Sequence, residues 1–164
     1  MKDTIIIYYS HSGNIAFIAE KLAEKLACDT HRLETVKEYH KTGLLKYLHG
    51  GRDVIFGFKP KLKNGFVDIS KYSHIILGTP IWAGKPAAPL NSFLDTIDFQ
   101  NKTVSVFTSC AGGNPDKCIS RLKNLIEKQG GAFNAQCSFV NPLKNKTETL
   151  DKIEMFCESI TNQK

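Results

Sequence analysis

Thr4-Ile5-Ile6-Ile7-Tyr8-Tyr9 runs into Ser10-His11-Ser12-Gly13-Asn14 and from there into Ile15-Ala16-Phe17-Ile18-Ala19-Glu20-Lys21-Leu22-Ala23-Glu24-Lys25-Leu26. The first run is short, β-branched and aromatic, which predicts a strand buried on both faces. In the last run Ile15, Ile18, Leu22 and Leu26 recur at helical spacing between lysines and glutamates, which predicts an amphipathic helix. The turn between them holds only hydroxyls, a histidine, a glycine and an amide. Hydroxyls and open backbone N–H groups at a helix start suit an anion, because the helix dipole is positive there. No lysine or arginine lies between Ser10 and Ile15, so the donors within this loop are neutral. The plainer alternative is a helix cap made by Ser10 or Ser12.

Outward from that stretch, strand and helix alternate, the pattern of an α/β fold with a parallel sheet. A second strand is expected at Thr30–Leu33. Lys37 to Asp68 is a long mixed connection with a helical piece near Leu44–Leu48, the break Gly50-Gly51 and the strand-like Val54–Phe58. His74–Gly78 reads as a buried strand ending in the loop Thr79–Pro86, then a helix over Ala87–Thr96 with Pro86 near its first turn. Lys102–Thr108 is the next strand and opens into Ser109–Pro115. A helix over Asp116–Lys128 stops at Gly130-Gly131. Ala132–Val140 and Glu148–Ile160 supply the last strand and helix.

The 164 residues suffice for one domain with a real core, and 41% hydrophobic with 23% charged residues is ordinary for a globular chain. No apolar run approaches the roughly 18–20 residues a membrane span needs. Met1-Lys2-Asp3 leads straight into a strand, which argues against a secretory leader. The five cysteines are scattered without a CxxC pair, which argues against a disulfide framework or a metal site and fits the cytoplasm. The net charge of +6 is concentrated: Lys37 to Lys63 holds seven Lys or Arg against two acids. No nucleic-acid motif accompanies the run, so nucleic acid is not an expected partner, and a solvated surface that steers acidic partners is.

Three strand ends carry loops of small residues, Ser10–Asn14, Thr79–Gly84 and Ser109–Gly113. In an open parallel sheet ligands bind at the carboxyl ends of the strands. Trp82 is the only tryptophan, and on a loop it is placed to stack on a planar ring. GxGxxG and Walker A patterns are absent. A phosphatase reading of Cys110 fails because Asp116, not arginine, stands six residues beyond it. A redox pairing of Cys110 with Cys118 has no support beyond their proximity in sequence, and no hydrolase triad is assembled.

These features resemble the flavodoxin family over essentially the whole chain. Ser10-His11-Ser12-Gly13-Asn14 is similar to the family's phosphate loop, with Ile15 where a threonine hydroxyl is usual. Thr79-Pro80-Ile81-Trp82-Ala83-Gly84 resembles the second loop, whose tryptophan covers one face of the flavin ring. Ser109-Cys110-Ala111-Gly112-Gly113 stands where the third loop meets the ring's far edge. The resemblance implies an open, doubly wound sheet of five parallel strands in the order 2-1-3-4-5, with helices on both faces, and FMN held without a covalent bond. It implies redox chemistry carried by the flavin, with no catalytic side chain. Two departures stand out. The third loop has no tyrosine to cover the outer ring face, a role open to Phe56 or Phe58, and the chain is basic where flavodoxins are acidic. Two functions follow: an electron carrier between redox partner proteins, or an NAD(P)H-dependent FMN or quinone reductase acting on a small quinone or nicotinamide. Either a monomer or a dimer is compatible with the sequence.

Overall fold

The computed structural model describes residues 3–37 and 57–162. Among these residues the strands are β1 (Thr4–Tyr8), β2 (Asp29–Arg32), β3 (His74–Trp82), β4 (Lys85–Pro86), β5 (Thr103–Cys110) and β6 (Ala132–Val140). The helices are α1 (Asn14–Leu26), α2 (Ala88–Leu94), α3 (Asp116–Lys128) and α4 (Lys146–Thr161). The sheet order is β2-β1-β3-β5-β6, every pair parallel, with the two-residue β4 hung antiparallel on β3. Counted without β4, this is the expected 2-1-3-4-5 order.

The period of a strand sorts the core into two layers. Ile5, Ile7 and Tyr9 join Ile75, Leu77, Val104 and Val106 on one face, where Leu90 and Phe93 of α2 and Ile119, Leu122 and Ile126 of α3 cover them. Ile6, Tyr8, Ile76 and Phe107 point to the other, beneath Ile15, Ile18 and Leu22 of α1 and Ile153 and Phe156 of α4. The apolar stripe that marked α1 in the sequence is the one it buries. At each fully buried aliphatic side chain about 1.5–3 kcal/mol of transfer energy favours the fold. Gly78 faces Phe107 across the β3–β5 ladder, and its missing Cβ makes room for the Phe107 ring.

Three expectations are corrected. β3 does not end at Gly78 but runs on through Thr79-Pro80-Ile81-Trp82. Ala83 (φ 48°) and Gly84 (φ 73°) then turn the chain so that Trp82 pairs with Lys85 and Ile81 with Pro86. Pro80 is tolerated there because β1, the neighbour on one side, has already ended opposite Gly78. Consequently Pro86 lies in β4, and Pro89 occupies the first turn of a shorter α2. β2 spans Asp29–Arg32, one residue earlier than expected. The helical piece expected near Leu44–Leu48 and the break at Gly50-Gly51 lie outside the described residues, as does most of Val54–Phe58.

The α3 stop is as expected. Gly130 is left-handed (φ 79°), and the N–H of Gly131 donates to the Ile126 carbonyl at 3.0 Å. Beyond β2, the segment around Leu62 returns antiparallel to Thr35. The Val36 N–H donates to the Lys61 carbonyl at 2.9 Å and the Lys63 N–H to the Glu34 carbonyl at 2.8 Å.

Candidate functional site

Because β1, β3 and β5 are neighbours, the three loops leaving their carboxyl ends come to one edge of the sheet. That juxtaposition was expected from the chain order. What each residue does there is visible only in the fold.

In the first loop Gly13 is the N-cap of α1 with φ 87°. An added Cβ would meet nothing closer than 3.6 Å, so conformation rather than space calls for glycine. The left-handed turn brings the first helical N–H groups to the edge, where the helix offers Asn14 and Ile15 no acceptor of its own. Ser10 is buried, and its Oγ accepts from the Ala16 N–H at 3.1 Å. The capping alternative thus holds in part, with Ser10 reaching the third helical residue from outside the helix. Ser12 is exposed and accepts from Asn14 Nδ2 at 3.3 Å. The other side of Asn14, Oδ1, accepts from the Leu143 N–H at 3.4 Å, which ties the loop to the turn after β6.

One residue at this loop was not found from sequence. Arg32 ends β2 opposite Tyr8, and its guanidinium donates to the Ser10 carbonyl at 3.3 Å. A positive charge therefore stands beside a loop that contains none. Its signal was the register of β2 against β1, which periodicity does not give.

The second loop is the β3–β4 hairpin. Thr79 is fully buried, and its hydroxyl accepts from the Ala87 N–H at 3.0 Å and donates to the Pro80 carbonyl at 3.1 Å. That hydroxyl fastens the return of the hairpin. Trp82 is half-buried, on the end of a strand rather than on a free loop. Tyr9 stands edge-on to it at 5.8 Å and 86°, and His11 at 5.9 Å and 85°. Two perpendicular rings thus contact the indole, and both come from the β1 end. Pro80, Ile81 and Gly84 are half-buried and Ala83 is exposed.

In the third loop Ser109 is buried, Cys110 half-buried, and Ala111, Gly112 and Gly113 exposed. Asn141 braces it, donating from its N–H to the Cys110 carbonyl at 3.0 Å and from Nδ2 to the Ala111 carbonyl at 3.1 Å. Asn114 Oδ1 accepts from the Asp116 N–H at 2.8 Å and so starts α3. Cys118 is buried in α3 against the core, and burial pushes its thiol up to about 12. A thiol so poorly ionised is not a nucleophile at neutral pH.

Backbone groups and small side chains make up most of the three loops, with Arg32 beside the first and Trp82 at the end of β3. A family model described as flavodoxin matches residues 3–154. The chain belongs to the flavodoxin family. Among solved structures, this flavodoxin-family chain is similar to a candidate flavoprotein from Bacteroides eggerthii. The two share 20% identity, covering 94% of this chain and 99% of that one, with a TM-score of 0.72. A flavoprotein from Lactobacillus acidophilus, solved in complex with FMN, shares 23% identity over 90% of this chain and 99% of that one, with a TM-score of 0.70. Oxidised flavodoxin 1 from Bacillus cereus shares 17% over 98% of each, with a TM-score of 0.60. No curated protein matches the chain in sequence. The flavodoxin-like architecture is thereby established. Among the described residues no helix is long and apolar enough to cross a membrane.

Proposed function

We propose that the chain binds FMN without a covalent bond and serves as an electron carrier. The observation that carries this reading is the start of α1. There the left-handed Gly13 presents the N–H groups of Asn14 and Ile15, with the Ser10 and Ser12 hydroxyls and the Arg32 guanidinium alongside. That donor set suits a phosphate monoester. The hairpin and the third loop fit the rest of the molecule. Ala83, Gly84, Ala111, Gly112 and Gly113 place no bulky side chain between the backbone and a flat ring. Membership of the family and the FMN complex of the Lactobacillus relative support the same cofactor here.

Bound FMN supplies the redox chemistry, and the protein supplies position and electrostatics. Ser10 to Ile15, aided by Arg32, would hold the phosphate. Trp82, steadied by Tyr9 and His11, would orient the ring, with the backbone of Ile81 to Gly84 beside it. Ser109 to Gly113 would meet its far edge. No side chain at this edge is assigned as a general acid or base.

One observation favours the enzyme reading as the alternative. Ser109–Asn114 holds no aromatic residue and Ala111–Asn114 is exposed, which gives a nicotinamide or quinone access to the outer ring face. Phe58, offered by the sequence as a substitute cover, is 58% exposed, and Phe56 lies outside the described residues. An anaerobic visible titration separates the two. Reduction by dithionite in two resolved one-electron stages, with no rapid bleaching by NADPH, is expected of the carrier. Fast two-electron bleaching by NADPH identifies the reductase. Failure of the apoprotein to quench FMN fluorescence overturns both.

A further inference from the structure

The loop from Ser10 to Ile15 contains no lysine or arginine, and Ile15 adds no hydroxyl to it. Its histidine, His11, stands edge-on to Trp82 at 5.9 Å. The N–H and O–H donors of the loop can hydrogen-bond a phosphate, but they serve an uncharged alcohol as well. A fixed positive charge has to come from outside the loop. Arg32 is the cation that the fold brings to it. It stands opposite Tyr8 in the β1–β2 ladder, and its guanidinium donates to the Ser10 carbonyl at 3.3 Å. That bond uses one of several N–H donors on a planar group that is charged throughout the physiological pH range.

Two acids lie near. Burial pushes the pKa of the Tyr8 hydroxyl up, Arg32 draws it down and Glu20 of α1 pushes it up, so Arg32 and Glu20 share a neighbour. Glu34 follows Arg32 by two residues. Among the described residues neither acid forms an ion pair with Arg32, so its charge is tempered but not paired. The backbone that carries Arg32 is fixed on both sides. Toward β1, the Leu33 N–H donates to the Tyr8 carbonyl at 2.7 Å. On the other side, Asn64 Nδ2 donates to the Arg32 carbonyl at 2.7 Å, and its Oδ1 accepts from the Glu34 N–H at 2.8 Å. The Asn64 carbonyl meets His31 Nε2 at 2.9 Å. One asparagine thus grips His31, Arg32 and Glu34 together. An arginine side chain has many rotamers, and holding its backbone narrows where the guanidinium can go.

We infer that Arg32 makes the site select a flavin bearing a phosphate over the unphosphorylated flavin, and that Asn64 is the positioning residue for Arg32. The inference rests on the FMN reading above, but not on the choice between carrier and reductase. A fixed cation attracts a phosphate dianion and is indifferent to a neutral hydroxyl, whereas the loop donors serve both. Arg32 is exposed, so salt screens that attraction.

The test titrates the full chain, as apoprotein, with FMN and with riboflavin, reading the quenching of flavin fluorescence at low and at high salt. In the parent, FMN is expected to bind more tightly than riboflavin, with an advantage that shrinks as salt rises. Arg32→Ala is expected to weaken FMN about tenfold, to leave riboflavin unchanged and to flatten the salt dependence. Arg32→Lys keeps the charge but not the planar fork, and is expected to recover part of the loss. Asn64→Ala is expected to weaken FMN about threefold in the parent and no further in Arg32→Ala, because it acts through that arginine. A merely structural role for either residue would weaken both flavins alike. Equal losses for FMN and riboflavin, or an unchanged FMN affinity in Arg32→Ala, overturns the selection by Arg32. Losses from Asn64→Ala that add in full to those from Arg32→Ala overturn the positioning role. Each of these results leaves FMN as the cofactor, whereas a parent chain that binds no FMN overturns the cofactor reading together with the inference.

Discussion

Two single residues carry strain or charge that can be measured. Ala27 closes α1 in the left-handed region (φ 46°), and the Cys28 N–H donates to the Ala23 carbonyl at 3.3 Å. A Cβ there costs about 1 kcal/mol, and glycine is the usual solution at a helix end. Ala27→Gly is therefore expected to raise unfolding stability by about 0.5–1 kcal/mol, part of the gain being offset by the freer unfolded chain, as read by urea denaturation. At the opposite end of the sheet from the candidate site, the Tyr72 hydroxyl, and after it Lys71, hold the Asp29 carboxyl below the usual carboxylate range. A depressed carboxyl stabilises the fold above its unfolded pKa, and that contribution is lost as the pH falls through the folded value. Tyr72→Phe should move the Asp29 titration, followed by carbon NMR, upward toward the ordinary value. The stability gap between variant and parent should narrow in acid. A gap independent of pH would mean that the hydrogen bond is not charge-assisted.

At the scale of elements, the β3–β5 contact decides most. Gly78 on β3 accepts the Phe107 ring of β5 where any other residue would place a Cβ. Phe107 is fully buried and cannot yield toward solvent. Gly78→Ala is expected to cost about 1–3 kcal/mol by overpacking, and a melt of the variant checks it. The same strand shows where sequence reading stops. Thr79–Gly84 reads as a loop because Pro80, Ala83 and Gly84 punctuate it. The ladder nevertheless continues, since Ala83-Gly84 forms a tight turn and Lys85-Pro86 pairs back. Strand ends set by such pairing have no period to read. The sequence singles out Trp82 as a site candidate, but the edge-on contacts of Tyr9 and His11 with it depend on how β1 and β3 lie together.

For the whole molecule, FMN binding and stability are linked. A ligand that binds only the folded state at about one hundred times its Kd adds about 2.7 kcal/mol. The FMN-loaded protein is expected to melt several degrees above the apoprotein, and Gly13→Ala, which strains the left-handed turn, should shrink that difference. Equal melting points with and without FMN would count against the proposed cofactor. The sequence alone determined the α/β class and the small-residue stretches at the strand ends, because alternation of buried strands with amphipathic helices and short-range turn signals are local properties; the strand order was implied only by the resemblance to the flavodoxin family. The sequence also determined the basic charge. Tertiary structure decided the rest. Only the register of β2 beside β1 brings Arg32 to Ser10. Only the packing of the segment after Gly57 against α2 makes a groove lined by Leu62, Phe66 and Phe93. In both cases residues distant in sequence meet because strand pairing and helix packing, not neighbourhood along the chain, fix where side chains converge.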